Sequence, residues 1–142
     1  MVTAGSAIQA DGNHEDEVSA LSPGNAAKTI AAKVDEVRLW RRLMELGRIG
    51  ATANGGVCRL ALTEEEIEAR RLLIGWASDI GLSVTMADIS NLFFRLDGTD
   101  PDAPPVVTGS HIDSQPTGGK FDGAFGVVAG FEALEADATD PD

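Results

Sequence analysis

The spacing of apolar residues along the chain predicts three helices. Between residues 26 and 46 apolar side chains recur every three or four positions, which is the period of one helix face. A second helix is predicted after Thr63, because Thr63 and Glu66 have the spacing of a capping box and Gly81 stands at the expected C-terminal end. A third helix is predicted over residues 123–137, despite its two internal glycines.

Shorter apolar runs between these helices predict β-strands. Residues 82–89 and 91–98 are predicted as two strands with a tight connection at Ser90-Asn91. Residues 57–62 form a β-prone run, and residues 106–112 are consistent with a buried strand. The resulting order of helices and strands predicts an α/β layer structure.

The first 25 residues have no such pattern. They mix small and acidic residues without periodicity, and this composition cannot bury enough apolar surface to offset the entropy of ordering. The sequence therefore predicts a disordered tail over residues 1–25 and a folded region over residues 26–142.

Charge and cysteine content exclude some classes of partner and indicate the cellular compartment. The formal net charge of −12 repels phosphate backbones and anionic lipids, so neither nucleic acid nor a membrane surface is an expected partner. No stretch approaches the roughly 20 apolar residues that span a bilayer. Cys58 is the only cysteine, which excludes an internal disulfide and suits a reducing cytoplasm. A cytoplasmic protein is therefore expected.

The stretch "GSHIDSQPTGGKFDGAFG", residues 109–126, carries the candidate chemistry. On a strand, His111 and Asp113 would point to the same face, so that the carboxylate could fix the imidazole tautomer while the other ring nitrogen binds Zn²⁺. The glycine-rich turn then brings Asp122 to the start of the last helix, where the helix dipole favours a carboxylate. Alternatively, His111 is a strand-end histidine hydrogen-bonded to a nearby carboxylate.

The longer stretch "TGSHIDSQPTGGKFDGAFGVVAG" resembles the first metal-binding segment of the dinuclear zinc amidohydrolases of the M20 metallopeptidase superfamily. Within that superfamily the hydantoinase/carbamoylase branch is most similar, which includes N-carbamoyl-L-amino-acid hydrolases and allantoate amidohydrolases. The upstream stretches "RLWRRLMELGRIGATANGGVCRLALTEEE" and "GLSVTMADISNLFFRLDG" also look like this branch, so the resemblance covers residues 37–135. Ser90 and Phe94 depart from the residues common in the family.

The resemblance implies a fold, an activity and a set of site residues. The fold would be part of a zinc-exopeptidase-like catalytic domain, with a mixed sheet and flanking helices. His111 would bind one metal ion, Asp122 would bridge two, and Asp113 would steady the imidazole. The ions would be Zn²⁺, or Mn²⁺, Co²⁺ or Ni²⁺ in its place, and the substrate a small N-carbamoyl or ureido amino acid.

The resemblance also implies that the chain is incomplete. In the family, the glutamate base, its neighbouring ligand glutamate, two further ligand histidines and the dimerisation domain lie beyond the Asp-Gly segment, whereas no histidine follows His111 here. We expect an N-terminal fragment that has no hydrolase activity alone and binds zinc weakly. Full-length relatives would form homodimers, though not through this region. Two alternatives remain: a fragment of an M20 aminoacylase or peptidase, and a non-catalytic binding or oligomerisation module.

Overall fold

A computed structural model describes residues 25–138 of the chain. The tail predicted over residues 1–25 falls almost entirely outside the described residues. The described part contains four helices and one two-stranded antiparallel sheet. In chain order the elements are α1 (Asn25–Ala31), α2 (Glu36–Leu46), α3 (Glu64–Asp79), β1 (Ser83–Met86), β2 (Leu92–Arg95) and α4 (Ala124–Ala138).

The prediction of one helix over residues 26–46 is wrong, because the chain breaks into α1 and α2 at Asp35. Asp35 has an extended backbone and caps α2, with its Oδ1 accepting hydrogen bonds from the backbone N–H groups of Val37 (2.8 Å) and Arg38 (3.1 Å). An aspartate side chain bonded in this way competes with helical hydrogen bonding and favours a helix start. The apolar periodicity continues across the break, so this pattern alone predicts one continuous helix.

The hydrophobic core lies where α2, α3 and α4 meet, and β2 adds Phe94 to it. Trp76 of α3 packs edge-on against Phe131 of α4, with ring centroids 5.8 Å apart, and Phe94 lies 4.8 Å from the same Phe131 ring. The buried residues of this core are Leu43, Leu46, Ala69, Leu73, Trp76, Ala77, Leu82, Ala124, Val128 and Phe131.

A network of ion pairs joins α2 to α4 beside this core. Arg38 donates two hydrogen bonds to Glu132, from Nε at 2.8 Å and from Nη2 at 2.6 Å. Glu132 also accepts the backbone N–H of Asp35 at 2.6 Å. Arg42 Nη1 and Glu135 Oε2 are buried together and form an ion pair at 2.6 Å. The start of α2 is thus bonded directly to the last half of α4.

The two predicted strands of the hairpin are confirmed, although both are shorter than expected. β1 and β2 pair from Ser83 opposite Arg95 to Met86 opposite Leu92. Ser90 lies in the connection with a φ of 66°, a left-handed conformation that permits the tight turn.

The buried strand expected over residues 106–112 is wrong. No strand is assigned there, and residues 104–111 are exposed, Val106 completely so. Neither β1 nor β2 pairs with this segment, so within the described residues no strand supplies the hydrogen bonds that a buried strand needs. In the β-prone run 57–62, only Val57 makes ladder contacts, as isolated bridges.

The helix predicted after Thr63 is confirmed as α3, but its capping box is wrong. Thr63 occupies the N-cap position, yet its hydroxyl donates to the Leu60 carbonyl at 2.8 Å and makes no capping hydrogen bond. Glu66 is buried, pairs with Arg70 and accepts the N–H of Leu62. No helix of residues 25–138 is long and apolar enough to span a membrane.

Replacing Gly75 by alanine is expected to raise the free energy of unfolding by about 0.5–1 kcal/mol, because glycine disfavours a helix interior. Gly75 lies within α3, and an added Cβ would meet nothing within 4 Å. The matched control is Gly126→Ala in α4, where the Cβ would lie 2.8 Å from the Cβ of Ser110. Urea denaturation should move the two variants in opposite directions, and an equal effect of both would contradict this interpretation.

Candidate metal site

The segment that carries the candidate ligands is held in place by residues 57–59. Val57 exchanges two backbone hydrogen bonds with Gly118, at 2.9 and 3.0 Å. Arg59 accepts the N–H of Ser114 at 2.8 Å through its backbone carbonyl. These contacts fix both ends of the turn that separates His111 from Asp122.

His111 and Asp113 are brought together as expected, although not by a strand. The Nδ1 atom of His111 lies 3.2 Å from Asp113 Oδ1 and 3.0 Å from the Asp113 carbonyl oxygen. Both side chains are about half exposed. With both neighbours of Nδ1 being acceptors, the ring proton belongs on Nδ1, and the lone pair of Nε2 is then directed away from Asp113.

The imidazole of His111 also lies against Gly123, the residue that follows Asp122. A Cβ added at Gly123 would overlap the Cε1, Nδ1 and Nε2 atoms of the ring, and the φ of Gly123 is 67°, a conformation that favours glycine. Asp122 lies two residues before the start of α4, and its carboxylate accepts no hydrogen bond from the described residues. The turn therefore brings the His111 ring back against the residue next to Asp122.

These residues fit one side of a metal centre. An imidazole nitrogen and a carboxylate are ligand types that Zn²⁺ and its substitutes accept. Gly123 has no side chain to fill the space that the His111 ring occupies, and Asp113 contacts Nδ1 of that ring rather than Nε2. Within residues 25–138, however, no three His, Cys, Asp or Glu side chains are grouped closely enough to hold one ion. The described region alone provides an incomplete shell.

Sequence reasoning missed Arg59, which is one of the most buried side chains of the described chain. It is 1% exposed, and its guanidinium donates to the carbonyls of Leu46, Ile49 and Ile112. Burial lowers the pKa of Arg59 from its ordinary value, and the negative charges of Asp113 and Glu66 oppose that effect. The signal available in the sequence was an arginine inside the apolar run "VCRLAL", since a buried arginine needs several hydrogen-bond acceptors.

Comparison with known proteins identifies the class. No protein-family model matches the chain. It is 48% identical over 102 residues to an N-carbamoyl-L-amino-acid amidohydrolase of Rhizobium meliloti, covering 72% of this chain and 24% of the relative. It is 44% identical over 90 residues to an allantoate amidohydrolase of Bacillus subtilis, covering 63% and 22%. The matched part of the chain is therefore similar to a part of proteins that are named amidohydrolases.

A solved structure specifies the family. The crystal structure of a hydantoinase/carbamoylase family amidase from Burkholderia vietnamiensis matches with a TM-score of 0.73 and 54% identity, over 75% of this chain and 26% of that one. The matched region belongs to the hydantoinase/carbamoylase family, and the described helices and small sheet are a part of its catalytic domain. The chain spans about a quarter of the length of the relatives that it matches.

Proposed function

We propose that this chain is part of a metal-dependent amidohydrolase that cleaves a C–N bond of small N-carbamoyl or ureido amino acids. The observation that carries the proposal is the position of the His111 ring, which lies against Gly123 beside Asp122 while its Nδ1 faces Asp113. The names of the relatives supply the substrate class, since they are amidohydrolases of N-carbamoyl-L-amino acids and of allantoate.

The proposal gives each of the three residues one role. His111 and Asp122 would hold the divalent ions, and Asp113 would keep the proton of His111 on Nδ1 so that the other ring nitrogen is free to bind. Divalent ions such as Zn²⁺, Mn²⁺, Co²⁺ or Ni²⁺, when bound, lower the pKa of a coordinated water and polarise the scissile carbonyl.

The proton transfer of the reaction needs a further carboxylate as general base. Two acidic residues of the described region cannot take this role. Glu132 and Glu135 follow Asp122 in the chain, but Glu132 forms an ion pair with Arg38, and Glu135 forms ion pairs with Arg38 and Arg42. A carboxylate held by arginines and turned into a helix–helix contact is not available as a general base. Because residues 25–138 also group no three side chains that could hold a metal ion, we expect the 142-residue chain alone to show no turnover.

The surface of the described region favours this proposal over a self-sufficient binding module. A monomer rarely exposes large contiguous apolar patches, and such surface normally contacts other polypeptide. Here the hairpin, its connection and the extended segment before His111 all carry exposed apolar side chains, namely Val84, Met86, Ile89, Phe93, Val106 and Val107.

We assign residues 26–142 to a catalytic domain, in the cytoplasm, with the homodimer contact of full-length relatives outside this region.

Titration of the purified chain with Co²⁺ tests the proposed site. We expect weak binding by isothermal calorimetry that is lost in His111→Ala and Asp122→Asn, because each variant removes one donor of an already incomplete shell. His14→Ala is the matched control, since His14 is the other histidine of the chain. Binding that depends on His14 and not on His111 would refute the proposed site, as would release of ammonia from an N-carbamoyl amino acid by His111→Ala.

A further inference from the structure

We propose that Arg59 is a positioning residue for the metal segment: it fixes the backbone on both sides of Asp113 and so orients the imidazole of His111. This inference rests on the proposed metal site, but it concerns a residue that neither binds the metal nor contacts the substrate. It follows from the contacts of one buried guanidinium and one backbone unit.

The side chain of Arg59 joins the end of α2 to the metal segment. Its Nη1 donates to the carbonyls of Leu46 at 3.0 Å and Ile49 at 2.9 Å, and its Nε donates to the carbonyl of Ile112 at 2.7 Å. Ile112 stands between His111 and Asp113. The guanidinium therefore connects the core helix directly to the residue that separates the two members of the pair.

The backbone of Arg59 holds the other side of Asp113. Its N–H donates to the hydroxyl oxygen of Ser114 at 2.9 Å, and its carbonyl accepts the Ser114 N–H at 2.8 Å. Arg59 thus bonds to both neighbours of Asp113, at positions 112 and 114. In a segment without regular secondary structure, these contacts replace the ladder hydrogen bonds that a strand would have supplied.

Arginine suits this position for a geometric reason. Three carbonyls in different directions need a rigid planar donor set, which a guanidinium has and an ammonium does not. The negative charges of Asp113 and Glu66 offset part of the cost of burying this cation. Lysine would keep the charge, but its ammonium group could not donate to the carbonyls at the end of α2 and to that of Ile112 at the same time.

The test compares Arg59→Lys with Arg42→Lys in the full 142-residue chain. Arg42 is a matched control because it is also buried, at 5% exposure, but it pairs with Glu135 and lies over the Trp76 ring, away from the metal segment. Both variants should lower the melting temperature. We expect Arg59→Lys to weaken Co²⁺ binding about tenfold, as for other residues that support a ligand, and Arg42→Lys to leave it nearly unchanged.

A second measurement needs no metal. In a His14→Gln background, side-chain coupling constants measured by NMR should show one χ1 rotamer for His111 in the parent and in Arg42→Lys, and averaged rotamers in Arg59→Lys. If Arg59→Lys does not fold, Ser114→Ala takes its place, because it removes the hydroxyl that accepts the Arg59 N–H.

The outcomes separate this inference from the proposed function. If the parent chain binds no Co²⁺ but His111 loses its single rotamer only in Arg59→Lys, the metal site fails and the positioning role stands. The positioning role is refuted if Co²⁺ binds, His111 keeps one rotamer in both lysine variants, and the two variants change the Co²⁺ affinity equally or not at all. Ser114→Ala is judged by the same two measurements.

Discussion

Gly123→Ala is expected to displace the imidazole of His111 and to abolish Co²⁺ binding by the chain, while also destabilising the fold. Two effects act together at this position. The left-handed backbone, with a φ of 67°, costs an alanine about 1–2 kcal/mol. The new Cβ would also overlap the His111 ring, which is half exposed and must therefore leave its present position.

Gly81→Ala separates the two effects. Gly81 has a φ of 75°, so alanine suffers the same backbone strain there, but its Cβ would meet nothing within 4 Å. Calorimetric titration with Co²⁺ and urea denaturation are to be measured for both variants. Gly81→Ala should lose stability and keep its Co²⁺ affinity, whereas Gly123→Ala should lose both. Unchanged Co²⁺ affinity in Gly123→Ala would show that the ring position seen here is not the one that binds metal.

The residues of the candidate site could be named from the sequence, whereas the elements around them were predicted only in part. Chemistry depends on a few residue types at short spacing, and His111, Asp113 and Asp122 lie within one twelve-residue stretch. The role of His111 and Asp122 as metal ligands stays a prediction, but the structure brings His111 against the residue after Asp122. The contact between His111 and Asp113 does not come from the predicted strand face, because the segment has no paired neighbour within the described residues.

The misjudged elements share a cause. Periodicity reports which residues face a core, but it does not report local competition from polar side chains. Asp35 ends one helix and starts another because its carboxylate takes two backbone N–H groups, and Thr63 fails to complete a capping box because its hydroxyl is bonded to Leu60. Arg59 was overlooked because its partners are backbone carbonyls from two separate parts of the chain, one at positions 46 and 49 and the other at position 112.

Glu132→Ala is expected to lower the free energy of unfolding by about 3–5 kcal/mol, the range for removing one partner of a buried ion pair. Glu132 is 1% exposed and accepts two hydrogen bonds from Arg38 and one from Asp35. Its loss leaves a half-buried guanidinium with a single, longer contact to Glu135, at 3.3 Å. Asp97→Asn is the control: Arg95 and Asp97 form an ion pair with both side chains more than 70% exposed, and its loss should be worth less than about 1 kcal/mol.

The ion pair between Glu132 and Arg38 predicts that the free energy of unfolding falls at acidic pH. Burial alone would raise the pKa of Glu132, but the hydrogen bonds from Arg38 and the Asp35 N–H and the charges of Arg38 and Arg42 outweigh it, so the pKa lies below its ordinary value. A carboxyl whose pKa is lower in the folded chain stabilises the fold above its unfolded pKa and loses that contribution as the pH falls through its folded pKa. Urea denaturation from pH 7 down to pH 3 should therefore show a fall in stability, beginning near the ordinary glutamate pKa of about 4.3, that is smaller in Glu132→Ala than in the parent chain. Parallel curves for the two proteins would mean that the α2–α4 ion pair contributes nothing to the acid sensitivity of the fold.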